Sequence, residues 1–188
     1  MRIGAVAGDP EIVGVTPPTS IVESDLTFTI KGLFGEYLLR TGAPGVILKS
    51  VSVAGEDITD VPRRFKAQDR ITIVLTTRAS TLEGSVTDDK GAPATEAGIL
   101  MFPEDKASWR GNAVRVRRGG PDPNGHYTMN GLQPGRYFVI AIPREKMNMP
   151  VQDMDPSYFE GLAKDATTVL IGEDEQRTVD LRVVGGGA

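Results

Sequence analysis

The chain is 188 residues long, carries 22 Gly, 13 Pro and 24% charged side chains, and contains one His and no Cys. The lack of Cys excludes thiol nucleophiles, thiolate metal sites and disulfides, and 21 basic against 25 acidic side chains leave no cationic surplus to attract a nucleic acid. No stretch reaches the ~20 apolar residues of a membrane helix, and Gly8-Asp-Pro-Glu11 ends the apolar start short of the roughly 7–15 residues of an export signal. The expectation is a soluble chain with no membrane insertion and no signal peptide of its own; if it is exported, its leader lies upstream.

In chain order, strand-like runs fall at 12–16, 21–23, 26–30, 37–40, 46–54 and 71–77, separated by turn residues such as Pro17-Pro18, Gly32, Gly45, Gly55 and Pro62. Ser50-Val-Ser-Val-Ala54 and Arg70-Ile-Thr-Ile-Val-Leu75 alternate polar and apolar, the period of a half-buried strand. A second series begins near Ser80. Residues 82–87 lead to the turn Asp89-Lys-Gly91, and Ala97-Gly-Ile-Leu-Met-Phe102 is a continuous apolar run, as a strand buried on both faces requires. Residues 112–117 alternate again, which puts Arg115 and Arg117 on one face opposite Val114 and Val116. Asp155 before Pro156 is a helix-start signal, and Tyr158, Phe159, Leu162 and Ala163 form an apolar stripe, predicting one short helix over 156–164. Strands at 166–171 and 176–184 flank the acidic turn Gly172-Glu-Asp-Glu175, and 185–188 form a tail.

Two stretches repeat one another: Phe28-Thr-Ile-Lys-Gly-Leu-Phe-Gly-Glu-Tyr37 and Tyr127-Thr-Met-Asn-Gly-Leu-Gln-Pro-Gly-Arg-Tyr137. Each reads as a strand, a glycine-marked turn and a returning strand, that is, a hairpin. The chain is therefore read as all-β, with two tandem antiparallel Greek-key β-sandwich modules over 1–79 and 80–185. Phe102, Leu132 and Tyr137 are expected as core anchors of the second.

Residues 81–143 resemble the carboxypeptidase regulatory-like family on Leu82-x-Gly84-x-Val86-x-Asp88-x-x-Gly91 and Asn124-Gly125-x-Tyr127-x-Met129-x-Gly131-Leu132-x-Pro134-Gly135-x-Tyr137. The resemblance implies a transthyretin-like sandwich of the carbohydrate-binding-like type, found on secreted peptidases and repeated in bacterial surface and envelope proteins. It implies no enzyme, but a structural or interaction module located extracellularly, in the periplasm or on the cell surface. A carbohydrate- or ligand-binding accessory module and a regulatory appendage of a secreted peptidase stand as alternatives, because a fold does not fix a function.

The first copy reads as trimmed. It has only residues 1–26 in which to place counterparts of 82–87 and 97–102. Either 3–6 and 12–15 supply those strands in diverged form, or a sheet edge stays open for a protein partner, a neighbouring module or a second copy.

Candidate chemistry is sparse. His126 has no second His or Cys to complete a zinc site or triad and is read as a surface strand residue. Asp88, Asp89, Asp122 and Asn124 are read as turn-closing side chains rather than a calcium loop, and Glu173-Asp174-Glu175 as a hairpin tip. No catalytic residue, metal or cofactor is expected. Trp109, Arg115 and Arg117, with Arg110 and Arg118 nearby, are the candidate ligand contacts, since an indole stacks on a sugar face and the guanidiniums suit an acidic partner; the alternatives are a half-buried loop anchor for Trp109 and a solvent-facing strand whose charge guards against edge pairing for the arginines.

Overall fold

The computed structural model describes residues 1–8, 17–43, 45–109, 113–148 and 154–185, in two compact units, Met1–Arg78 and Ala79–Ala188. The predicted strand at 12–16, with its reading as a diverged counterpart, lies outside the described residues, as do Arg110 and Asn112.

The first unit contains β1 (Arg2–Ala7), β2 (Thr19–Ile21), β3 (Glu36–Gly42), β4 (Ile47–Val53), β5 (Glu56–Asp57), β6 (Arg63–Arg64) and β7 (Ile71–Thr76). One sheet runs β2-β1-β3-β6 and the other β5-β4-β7, all antiparallel. Residues 3–6 thus do fold back, as part of a central strand paired from Arg2↔Gly42 to Ala7↔Tyr37. Ile3, Ala5, Leu38, Leu39, Leu48, Val51 and Val53 are buried, as strands with one face on a core should be. Ala54 and Gly55, both at positive φ (51° and 86°), make the two-residue turn between β4 and β5. The loop after β5 is tied down by polar groups. Asp60, 1% exposed, holds the Arg40 guanidinium at 3.1 Å, and Thr59 accepts from the Val51 amide through its hydroxyl oxygen at 2.9 Å.

Residues 26–30, predicted as a strand, are not one. Their alternation is right, but among the described residues no β-ladder pairs with them; the Thr29 carbonyl accepts from the Ser20 hydroxyl of β2 at 2.7 Å instead.

The second unit contains β8 (Ser80–Thr87), β9 (Ala97–Pro103), β10 (Arg117–Gly119), β11 (His126–Leu132), β12 (Gly135–Pro143), β13 (Thr167–Ile171), β14 (Gln176–Thr178) and β15 (Leu181–Arg182), with helices α1 (Arg144–Met147) and α2 (Pro156–Ala163). One sheet runs β10-β9-β12-β13; in the other, β8 lies between β11 and β14, with β15 also on β8. The two sheets enclose Leu82, Val86, Tyr127, Met129, Leu132 and Leu181 on one side against Ile99, Met101, Tyr137, Val139, Ala141, Val169 and Ile171 on the other. The outer face of β9 and β12 is covered as well: Leu100, Phe102, Ile140 and Ile142 pack against Trp109, Met154 and Phe159. All seven residues of β9 are buried, which accounts for its uninterrupted apolar run. Helix α2 begins where its signal lies, with the Asp155 carboxylate accepting from the Tyr158 amide at 3.0 Å.

Three sequence expectations are corrected. The predicted hairpin over 127–143 is not a hairpin: β11 pairs with β8, whereas β12 pairs with β9 and β13 in the facing sheet. The Gly131–Gly135 link arches from one sheet to the other, and the Tyr137 hydroxyl holds it by donating to the Gln133 carbonyl at 2.9 Å. The strand predicted over 176–184 is two short strands, and both run parallel to β8, departing from an all-antiparallel scheme. Between them the Asp180 carboxylate accepts from the Ser85 amide and hydroxyl at 2.8 and 2.7 Å, replacing a ladder bond with a side chain. Third, the alternating strand predicted over 112–117 is a turn at 114–115 followed by β10.

The first sheets of the two units correspond strand for strand, β2-β1-β3-β6 with β10-β9-β12-β13. The repeat places 26–30 opposite β11 in this comparison, and β7 follows β6 as β14 and β15 follow β13. Nothing described in the first unit corresponds to β8.

Candidate functional site

Trp109 is 3% exposed and follows a 3-10 turn (Lys106–Ser108) that Asp105 caps by accepting from the Ala107 amide at 3.0 Å. Its indole N–H donates to the Pro103 carbonyl at 2.7 Å, and its ring meets Phe102 edge-on at 5.8 Å and 79°. The ring is a plug beneath α2, with the Lys106 ammonium 5.2 Å from its centroid, and it is too buried to offer a sugar a stacking face. Arg115 donates to the Gln133 side chain at 3.1 Å, while Arg117 donates to the Asn130 carbonyl at 2.7 Å. Because 114–115 form a turn, the two guanidiniums are not neighbours on one strand face. The structure gives the three candidate contacts three separate tasks.

The carboxylates are occupied as well. Asp88 accepts from the Lys90 and Ala92 amides at 2.9 and 2.8 Å, and Asp122 from the Asn124 and His126 amides at 2.8 and 2.9 Å. Those amide bonds, led by that of His126, hold the Asp122 carboxyl below its ordinary value. His126 lies in a shallow cleft with Ser85, Thr128 and Asp180. A triad would need the serine hydroxyl directed at the imidazole; here it donates to Asp180, and that bond is the first cause of the lowered Asp180 pKa. Beneath it, the Tyr127 hydroxyl donates to the Val179 carbonyl at 2.7 Å, and burial pushes this phenol well above its usual range. Among the described residues no group of three His, Asp or Glu side chains could hold a metal ion.

The first unit carries a different feature. Two adjoining cavities of about 560 and 400 Å³ share Leu26, Phe28 and Ile71 and run between residues 26–33 and β7, with Met1 and Ile3 also in their lining. Leu26 is 80% exposed and Phe34 86%. Phe28, Ile30 and Leu33 are half-buried, whereas their counterparts Tyr127, Met129 and Leu132 are 3%, 6% and 3% exposed. The signal for this groove was in the sequence, as a repeat whose first copy lacks a leading strand.

No family model matches the chain, and no curated protein matches it. Among solved structures, the chain is similar to BcpA, the major pilin subunit of Bacillus cereus, at 12% identity and TM-score 0.39, covering 94% of this chain and 40% of that one. GBS52, the minor pilin of Streptococcus agalactiae, aligns at 12% identity and TM-score 0.39, with 96% and 81% covered. Catechol 1,2-dioxygenase from Acinetobacter aligns at 14% identity and TM-score 0.30, with 56% and 52% covered. The chain thus spans two fifths of the length of BcpA. At these scores none of the three bears on what the chain does.

Proposed function

We propose that the chain is a non-enzymatic structural and interaction module of a bacterial exported or cell-surface protein, built from sandwich domains 1–79 and 80–185, and that its partner is protein. One observation carries the protein partner. Of the seven large apolar side chains exposed among the described residues, Met1, Val6, Ile21, Leu26, Phe34 and Val74 belong to the first unit and only Leu170 to the second. Of these, Met1 and Leu26 line the apolar groove between residues 26–33 and β7, a surface of the kind that another chain buries. The carbohydrate reading has lost its stacking platform at Trp109. The exported location, and the carboxypeptidase regulatory-like character of the second domain, rest on the motif residues within 81–143.

Two measurements test the reading. Protease added to intact cells of the source organism should cleave the protein while a cytosolic marker survives. Ester and peptide substrates should show no turnover that Ser85→Ala or His126→Ala removes; turnover lost in either variant overturns the non-enzymatic reading.

A further inference from the structure

In the second unit β8 is the centre of its sheet, antiparallel to β11 (Tyr127↔Gly84, Met129↔Leu82) and parallel to β14 (Arg177↔Leu82). It inserts Leu82 and Val86, both 0% exposed, between the sheets. Gly84 lies between them, where a side chain would run into the Val179 carbonyl. In the first unit the flanking elements are present, 26–30 on one side and β7 on the other, and the place between them is the groove. Both lips bear the marks of a missing neighbour. Among the described residues β7 pairs only with β4, and the amides of Phe28 and Ile30 donate to no protein acceptor. Phe28 and Ile30 repeat the aromatic and apolar positions of Tyr127 and Met129, yet stay half-exposed.

We infer that this groove is a docking site for an extended strand from a second polypeptide chain, running antiparallel to 26–30 and parallel to β7. Its chemistry is that of β8: two branched apolar residues four positions apart with a small residue midway. The backbone ladder would supply affinity and the alternate pockets register. Leu26 at the lip is 80% exposed, which leaves that side of the groove accessible to a strand from another molecule. The inference rests on the protein-partner reading and specifies the partner's form.

The test uses the full chain and, as probe, a fluorescent peptide of residues 79–88. Saturable binding is expected, accompanied by new amide-exchange protection at Phe28 and Ile30, whose amides the free chain leaves without an acceptor among the described residues. Phe28→Asp in the chain, or Leu82→Asp in the peptide, should weaken it about tenfold or more. In a second arm, residues 79–96 are fused ahead of Met1, which raises the effective strand concentration. The fused strand should protect the same amides and abolish peptide binding. The inference is overturned if the fusion leaves the Phe28 and Ile30 amides unprotected, if bound peptide protects other segments instead, or if those two amides are already protected in the free chain. Failure here with surface exposure intact removes only the groove; turnover lost on Ser85→Ala removes the wider reading and leaves peptide binding unaffected.

Discussion

The two units share one sheet and differ in the other, and the contrast between residues 26–30 and β11 shows the effect of that difference. Phe28-Thr-Ile and Tyr127-Thr-Met have the same alternation and precede the same Gly-Leu, but only the copy beside β8 is a strand. Strand propensity is conditional: a period-two segment needs a neighbour to take its amides and carbonyls and a closed sheet to bury its apolar face. Remove the central strand, and the same residues become the wall of a groove.

The comparison breaks most visibly at the core of the complete unit. Phe102→Ala, beneath Trp109 and Phe159, is expected to cost about 3–5 kcal/mol, read by urea unfolding on the fluorescence of the lone tryptophan. In the first unit the polar loop takes that role. Arg40→Ala strips the guanidinium from the buried Asp60 carboxylate and should cost about 3 kcal/mol, seen as faster amide exchange in β3 and β4. The matched pair comes next: Tyr127→Ala should cost about 3 kcal/mol and Phe28→Ala less than about 1, since only the former ring is enclosed. Equal costs would mean that the groove is filled in solution.

The smallest effect is acid sensitivity of the second unit. Asp180 and Asp155 are lowered from 3.8, first by hydroxyl bonds from Ser85 and Ser157 respectively, and Asp122 first by the His126 amide. A carboxyl lowered on folding contributes stability above its unfolded value of 3.8 and loses it as pH falls through the folded value, because the unfolded chain then binds the proton first. The urea midpoint of this unit should therefore fall on acidification below that range, and Asp180→Asn should flatten the curve.

Much of this was legible in the residues. The buried run of β9, the alternation of β4 and β7 and the capped start of α2 each follow from a local pattern, and each forms as read. What local pattern does not carry is the partner. A glycine-marked reversal looks the same whether the returning strand pairs with its predecessor or crosses to the facing sheet, so the arch at 131–135 read as a hairpin. The alternation at 112–117 was too short to separate a strand from a turn whose arginines bond elsewhere. For Trp109 the sequence left a ligand contact and a half-buried loop anchor both open, because nothing local announced α2, some fifty residues on, as its cover. The groove was visible only by comparing the copies, as a strand that one had and the other lacked.

The parallel pairing of β8 with β14 and β15 bears on how the second unit responds to tension. The chain enters this unit through the start of β8 and runs toward its end through β15, neighbouring strands that point the same way. A pull on the two ends therefore acts along the strand axis in opposite directions and shears the contacts at Thr81–Glu83 and Val86–Thr87 together. Antiparallel terminal strands, with both ends at one edge, would instead unzip bond by bond. Resistance to such a pull is set by the barrier to unfolding rather than by equilibrium stability, and the Ser85–Asp180 clasp sits midway along the loaded seam.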